Sequence, residues 1–308
     1  MEKVACNYCK SAEADFIEFF RDLAFDLPGE FPYVRCRNCG LIYLQTRPSP
    51  EEIHLYYPAQ YQPYRTAIQD EASPLMRRAR QRNILRYCRT IARVTPRQSG
   101  RILDIGCSTG IFLDAMRQQG WETQGVEISA QAGAYARERF GLQVFEGQLH
   151  EASFEGETFD AITLWNVFEH LYQPFETLQE VYRLLRKGGV LAMTFPNWES
   201  WDHRWFGKAW IGFDAPRHLF VFPRPVHQHL LATAGLSCEK VGMGLQNYYT
   251  FLASLKRWLK LHSRSSSLQD SIWRLMNLPG IRFVFQPFFS VTDALNKGGT
   301  TLIVARKP

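Results

Sequence analysis

The chain has 308 residues, 45% of them hydrophobic and 21% charged, and a formal net charge of +6, a balance that excludes wholesale disorder and suits one large α/β domain with a small extra module. No apolar run reaches the roughly 18 residues of a membrane-spanning helix, the N-terminal MEKVACNYCK has no apolar signal core, and the modest positive charge permits an anionic partner without requiring nucleic acid. The expected setting is therefore cytoplasmic, where seven cysteines serve as thiols or metal ligands rather than as disulfides.

Residues 1–45 carry Cys6-x-x-Cys9 and Cys36-x-x-Cys39. Each pair suits one tight knuckle, and two knuckles complete a closed tetrahedral thiolate set for structural Zn2+. A redox dithiol is the alternative. Four cysteines leave no open position for a catalytic metal. Residues 46–98 follow as a linker and a helix. The stretch 46–75 is rich in Pro and Tyr, with little regular structure expected. Met76–Val94 reads as a helix with seven arginines. Ile84, Leu85 and Ile91 should pack inward, and the arginines form either a solvated face or a grip on an anionic partner. Cys88 and Cys238 are isolated and expected to be buried.

From residue 99 to 308 strands and helices alternate. Strands are expected at 101–105, 123–128, 143–146, 159–166, 190–195, 237–243 and 300–307. Helices are expected at 109–119, 130–140, 175–187 and 224–234, with Gly188–Gly189 stopping the third. The strands are apolar without polar alternation, which indicates burial on both faces. The fold class is thus α/β: a Rossmann-like, seven-stranded, mostly parallel sheet with helices on both faces, plus the N-terminal zinc-binding module. Residues 245–297 form an insertion, expected to be helical.

The first strand ends in Asp104-Ile-Gly106-Cys107-Ser108-Thr-Gly110. Glycines there allow a tight strand-to-helix turn and close approach of a ligand to backbone N–H groups. The G-x-G-x-x-G spacing of dinucleotide sites is absent, and Asp104 would repel a pyrophosphate. Glu127 ends the next strand, where an acid can accept hydrogen bonds from ribose hydroxyls. A ligand with a ribose and an ammonium group but no phosphate meets these demands, and S-adenosylmethionine is one.

These residues resemble the first motif and the ribose acid of class I S-adenosylmethionine-dependent methyltransferases. The segment FDAITLWNVFEHLYQPFETLQEVYRLLRKGGVLAMTFPN resembles their fourth strand, following helix and fifth strand. The likeness covers about residues 99–244 and 300–307. It implies a cofactor site of Asp104, Gly106, Cys107, Ser108, Gly110, Glu127 and Ile128, with Cys107 as a small filler in the loop. It places Gln148 and Leu149 at the adenine and Asn166 near the methionine part, where Asn166 could equally be a strand cap. A zinc module joined to such a domain also resembles bacterial methyltransferases of sugar, polysaccharide and natural-product pathways. The Tyr/His/Glu catalytic cluster of the sugar enzymes is not found in the sequence. A zinc-bearing rRNA methyltransferase group is a second resemblance, with a different ligand pattern.

Candidate catalytic residues lie where loops leave the carboxyl ends of the strands. They are His170, after the fourth strand, and Asp214, Arg217 and His218, after the fifth. The histidines are either bases or structural contacts, and Arg217 either holds an anionic substrate group or pairs with Asp214. Trp198, Trp201, Trp205, Trp210 and Phe213 either wall a pocket or pack a lid. The expected activity is methyl transfer to a small-molecule, sugar or lipid-linked acceptor, foremost at oxygen. Alternatives are an RNA methyltransferase, C- or N-methylation of a nucleotide sugar or natural product, and a non-catalytic binding module. Against RNA, N/D-P-P-[YFW] is absent and Asn166-Val-Phe-Glu stands in its place. The insertion 245–297, with Lys256, Arg257 and Lys260 among apolar residues, suits peripheral membrane contact, a dimer face or packing on its own domain. The sequence does not fix the oligomeric state.

Overall fold

The structure, a computed structural model, describes the chain apart from residues 59–60, 62–73, 97–98, 244–246, 264, 277 and 279. Nearly half of the expected linker 46–75 and the start of the insertion thus lie outside the described residues. The N-terminal part holds β1 (Glu2–Lys3), β2 (Ala14–Phe20), β3 (Phe31–Cys36), β4 (Ile42–Leu44) and β5 (Thr46–Arg47). Helix α1 (Pro74–Val94) leads into β6 (Arg101–Ile105), α2 (Ile111–Arg117), β7 (Glu122–Glu127), α3 (Ala130–Phe140) and β8 (Gln143–Glu146). Then come β9 (Phe159–Trp165), α4 (Pro174–Leu184), β10 (Leu185–Pro196), α5 (Trp201–Phe206), β11 (Phe220–Val221), α6 (Arg224–Thr233) and β12 (Ser237–Met243). Helices α7 (Asn247–His262), α8 (Ser266–Met276) and α9 (Ile281–Ala294) precede β13 (Thr300–Arg306).

The main sheet has seven strands in the order β12-β13-β10-β9-β6-β7-β8. Strand β13 is antiparallel to both neighbours, while β10, β9, β6, β7 and β8 run parallel. Alternate residues supply opposite faces, as the two-residue strand period requires. Leu103, Ile162, Leu191 and Met193 feed one core, and Ile102, Ala161, Val190 and Ala192 the other. Both faces are covered, which is why these strands read as continuous apolar runs.

The first of these cores also takes in Tyr33, Val34, Ile42 and Leu44 of the N-terminal strands. Their four-stranded sheet, β11-β4-β3-β2, is completed by Phe220–Val221 from the far end of the chain. The cysteine segment is therefore packed into the body, and its sheet holds the loop that precedes β11. No local pattern in residues 1–45 announces a partner strand two residues long at 220–221.

Three local expectations are corrected. Gly188–Gly189 does not stop α4: that helix ends at Leu184, and both glycines lie within β10, where its register against β9 shifts between Leu185 and Val190. A Cβ on Gly189 would meet the Arg186 and Phe159 carbonyl oxygens at 2.8 and 3.1 Å, so a bulge residue without a side chain is favoured there. In α1, Leu85 is exposed, whereas Tyr87, Cys88 and Ile91 are buried against the sheet. Cys238 is only half-buried.

Candidate active site

The C-terminal ends of β6, β7, β8 and β9 meet at the point where the strand order reverses, the usual ligand crevice of such sheets. The turn after β6 is wound by three residues of positive φ: Gly106 (71°), Ser108 (51°) and Gly110 (76°). A Cβ on Gly106 would lie 2.5 Å from Val167 Cγ2, and one on Gly110 2.6 Å from Leu142 Cδ1. Glycine is required at both positions by backbone conformation and by close approach. Cys107 is buried with its Sγ over Gly125, 2.6 Å from where a Cβ would stand.

Two buried carboxylates flank this turn. Asp104 is 3% exposed and accepts a 2.6 Å hydrogen bond from the Thr163 hydroxyl, its register partner on β9. Burial pushes its carboxyl up to about 8, with Thr163 opposing and Glu127 adding to the rise. Glu127 is 4% exposed. Its Oε2 accepts from Ser108 N at 2.7 Å and its Oε1 from Ser129 N at 2.8 Å. Burial raises its pKa as well, against those backbone bonds. Each carboxylate oxygen retains lone-pair capacity beyond these bonds. The pocket therefore favours a cation or a hydroxyl donor and disfavours an anion.

The remaining residues expected at the cofactor lie around the same crevice. Ile128 follows Glu127 and is largely exposed. Gly147 N donates to Glu127 O at 3.0 Å, so the turn after β8 abuts the end of β7. In that turn Gln148 is exposed and Leu149 buried. Asn166, just beyond β9, adopts a left-handed φ of 57° and donates its N–H to Thr194 O at 2.9 Å. Sequence reasoning missed Thr163, although a hydroxyl in an apolar strand beside an acid-bearing strand was a usable signal. It also missed Trp165, whose ring is tilted against Tyr87 of α1 at 4.3 Å and whose buried indole N–H has no acceptor among the described residues.

A second polar cluster borders this crevice. Val167, which packs on Gly106, leads into the short helical turn Phe168–His170. One ligand-capable atom each of Glu169, His170 and His218 lie within 4.8 Å of one another. His218 Nε2 stands 4.0 Å from Glu169 Oε1, and the two imidazoles are 4.6 Å apart. His170 Nδ1 lies 3.0 Å from the Tyr57 hydroxyl and 3.0 Å from Arg217 O, while His218 Nδ1 lies 3.1 Å from Gly212 O. Burial lowers His170 to about 3 and His218 to about 4, and raises Glu169 to about 8. Near neutral pH both rings are uncharged and Glu169 is mostly protonated. This grouping of Tyr57, Glu169, His170 and His218 leaves no mark in a short window because its members come from positions 57, 169–170 and 218. The fold brings them together: Leu219 N donates to Glu169 O at 2.8 Å, Leu44 N to Leu219 O at 3.0 Å, and Tyr33 hydroxyl to His218 O at 2.5 Å.

Of the two alternatives for Arg217, the structure shows the pairing with Asp214. The Arg217 side chain is fully buried. Its guanidinium donates to both oxygens of Asp214, to both oxygens of Asp22 and to Tyr56 O, at 2.6 to 3.1 Å. A guanidinium has five N–H groups, so none is left for a ligand. Arg257 of α7 also binds Asp214. Burial pushes Asp214 up, but Arg257 and Arg217 hold it well below the usual carboxylate range. The network ties the N-terminal sheet, the loop before β11 and the insertion into one unit. Of the aromatic residues, Trp210 and Phe213 are buried core, Trp198 packs on His203 at 4.0 Å, and Trp201 and Trp205 lie against Phe288 of α9.

The four N-terminal cysteines converge. Cys6 and Cys39 sulfurs are 3.5 Å apart, Cys9 and Cys36 sulfurs 3.4 Å, and all four lie within 4.8 Å. A tetrahedral metal at about 2.3 Å from each sulfur separates them by roughly 3.8 Å, whereas a disulfide needs about 2.05 Å. The two knuckles are alike: Lys10 N donates to Cys6 O and Gly40 N to Cys36 O, at 2.9 and 3.0 Å.

Comparison with known proteins agrees with this geometry. A family model described as a methyltransferase domain matches residues 76–241, just over half of the chain. A ubiquinone biosynthesis O-methyltransferase of Paracidovorax citrulli is 30% identical over 147 residues, covering 44% of this chain and 58% of the relative. A malonyl-[acyl-carrier protein] O-methyltransferase of Enterobacter lignolyticus is 29% identical over 129 residues, covering 42% and 51%. The chain spans about half the length of these curated relatives. The geranyl diphosphate C-methyltransferase structure from Streptomyces coelicolor, solved with Mg2+, geranyl diphosphate and S-adenosyl-L-homocysteine, superposes with a TM-score of 0.54 at 13% identity, covering 85% of this chain and all of that one. At that identity the likeness is one of fold. From the family match across the turn, the two carboxylates and the strands that carry them, the chain belongs to the methyltransferase-domain family.

Proposed function

We propose that this chain transfers a methyl group from S-adenosylmethionine to an oxygen of a small-molecule, sugar or lipid-linked acceptor. The observation that carries the cofactor assignment is the pair of buried carboxylates, Asp104 and Glu127, on either side of a glycine turn. When bound, S-adenosylmethionine supplies an electrophilic methyl on a sulfonium, a leaving group that needs no covalent protein intermediate. Asp104 would meet the ammonium group, Glu127 the ribose hydroxyls, and Ile128, Gln148 and Leu149 the adenine, with Asn166 and the Trp165 N–H toward the methionine part. The oxygen preference is supported by the names of the relatives, both O-methyltransferases.

The chain's part in the chemistry is alignment and removal of one proton. We assign both to the cluster around His170 and His218. With a backbone carbonyl facing each Nδ1, both rings are held with their Nε2 lone pairs free to accept a proton. The acceptor's O–H proton passes to His218 as its oxygen bonds to the methyl carbon, and the Gly212 carbonyl facing Nδ1 steadies the resulting imidazolium. His170, fixed by Tyr57, orients the acceptor. Asp214 and Arg217 act as positioning residues through the loop that carries His218. Cys6, Cys9, Cys36 and Cys39 hold a structural Zn2+, whose sheet supports the same loop.

The test is transfer of label from S-adenosylmethionine into cell-extract fractions split into lipid, sugar-nucleotide and RNA pools. Label in the lipid or sugar pool as a methyl ether or ester fits the proposal, and label confined to RNA refutes it. With the acceptor in hand, His218→Ala lowers kcat by about 10²–10⁴-fold with S-adenosylmethionine affinity unchanged.

A further inference from the structure

Helices α7, α8 and α9 form a bundle with its own small core of Tyr248, Leu252, Met276 and Phe289. Its inner side is fixed to the body: Arg257 binds Asp214, Thr250 hydroxyl donates to Asp202, and Ile211 N donates to the Ser254 hydroxyl. The outer side is different. Along α9, Val284, Pro287, Val291 and, just past its end, Leu295 recur at three- and four-residue steps and are all exposed, Val284 at 72%. That spacing places them on one helix face. Leu268 and Leu275 of α8 are also about half exposed. Scattered exposed leucines are ordinary, but a row of this kind marks an interaction surface.

Charge identifies the partner. Residues 247–297 hold seven Lys and Arg against two Asp, so this sixth of the chain carries +5 of the total formal charge of +6. Lys256, Lys260 and Arg274 are exposed, and Lys256 Nζ lies 5.1 Å over the Trp273 ring. Asp293 is engaged by Asn247, while Lys260 is paired with Asp26 of the N-terminal segment. Asp214 and Asp26 offset Arg257 and Lys260, and a second copy of the chain would still set this net positive segment against itself, which opposes association. An anionic membrane surface answers both features, taking the apolar row into the acyl boundary and the ammonium and guanidinium groups among its phosphates. Among the described residues no helix is long and apolar enough to cross a membrane, so the contact is peripheral.

We propose that the outer face of α8 and α9 docks the protein on anionic lipid bilayers. This bundle packs on the loop that carries His218. The assay is co-sedimentation of the full chain with phosphatidylcholine vesicles, with and without phosphatidylglycerol, at low and high salt. The expected result is binding to the mixed vesicles only, released by salt, and weakened about tenfold or more in the Val284→Glu/Val291→Glu double variant. Calorimetry with S-adenosylmethionine on the same double variant should give wild-type affinity. That reading separates a lost surface from a misfolded chain and from failure of the cofactor assignment. The proposal is overturned if wild type ignores phosphatidylglycerol vesicles, if the double variant binds as wild type does, or if light scattering shows a dimer that the variant dissolves.

Discussion

The most informative perturbation is pH across the Asp104 carboxyl. Burial, partly offset by Thr163 and reinforced by Glu127, sets this group near 8 in the ligand-free chain, against an ordinary value of 3.8. The folded pKa is raised, so at pH 6 to 7 the free protein holds a proton that an ammonium-bearing ligand must displace. Binding then releases that proton, and affinity for S-adenosylmethionine rises with pH until the carboxyl is ionised unaided. The slope is about tenfold per pH unit below the folded pKa, or about 1.4 kcal/mol. Between pH 6 and 7 the ligand's own α-amino group, of ordinary pKa near 8, stays charged and contributes little. Isothermal titration calorimetry at pH 6.0, about 6.5 and about 7.0 should show Kd falling about tenfold in wild type. Asp104→Asn still accepts the Thr163 hydrogen bond but cannot ionise, so its Kd should be nearly flat. A flat wild-type profile, or the same slope in the variant, refutes the assignment of Asp104 to the ammonium group.

Two further outcomes test the supporting structure. Arg217→Leu leaves buried Asp22 with no cation and only the Ala24 and Phe25 N–H groups, and Asp214 with only Arg257, so urea denaturation should show a loss of about 3–5 kcal/mol, and a loss under about 1 kcal/mol would show that the network is not structural. Cys36→Ser should lower the zinc content from about one per chain to well below one and expose the β2–β4 sheet to proteolysis, whereas a metal-free wild type that resists a chelator and stays folded would remove the metal assignment.

Much of this was legible in the residues because it is local. The apolar runs at 101–105, 159–165 and 190–195 required a sheet covered on both faces. The Asp104–Gly110 turn and Glu127 needed only strand ends and short spacings to be located. The 3.6-residue pattern marked the insertion as helical, and two Cys-x-x-Cys pairs marked a metal set. What was hidden depends on long-range placement. Phe220–Val221 completing the N-terminal sheet, Asp22 meeting Arg217 across 195 positions, and Tyr57 reaching His170 leave no mark in any short window. Gly188–Gly189 misled for the opposite reason: a glycine pair after a helical pattern imitates a helix stop, while here, inside β10, Gly188 takes a φ of 77° and Gly189 lies tight against the Arg186 and Phe159 carbonyls.

The central claim is that two carboxylates beside a glycine turn receive a methyl donor carrying a ribose and an ammonium group. Calorimetric titration of S-adenosylmethionine into wild type and Glu127→Ala tests it most directly. The account predicts one equivalent bound per chain and at least about tenfold weaker binding in the variant, from loss of hydrogen bonds to a charged acceptor. No heat of binding in wild type, or equal affinity in the two proteins, would contradict it.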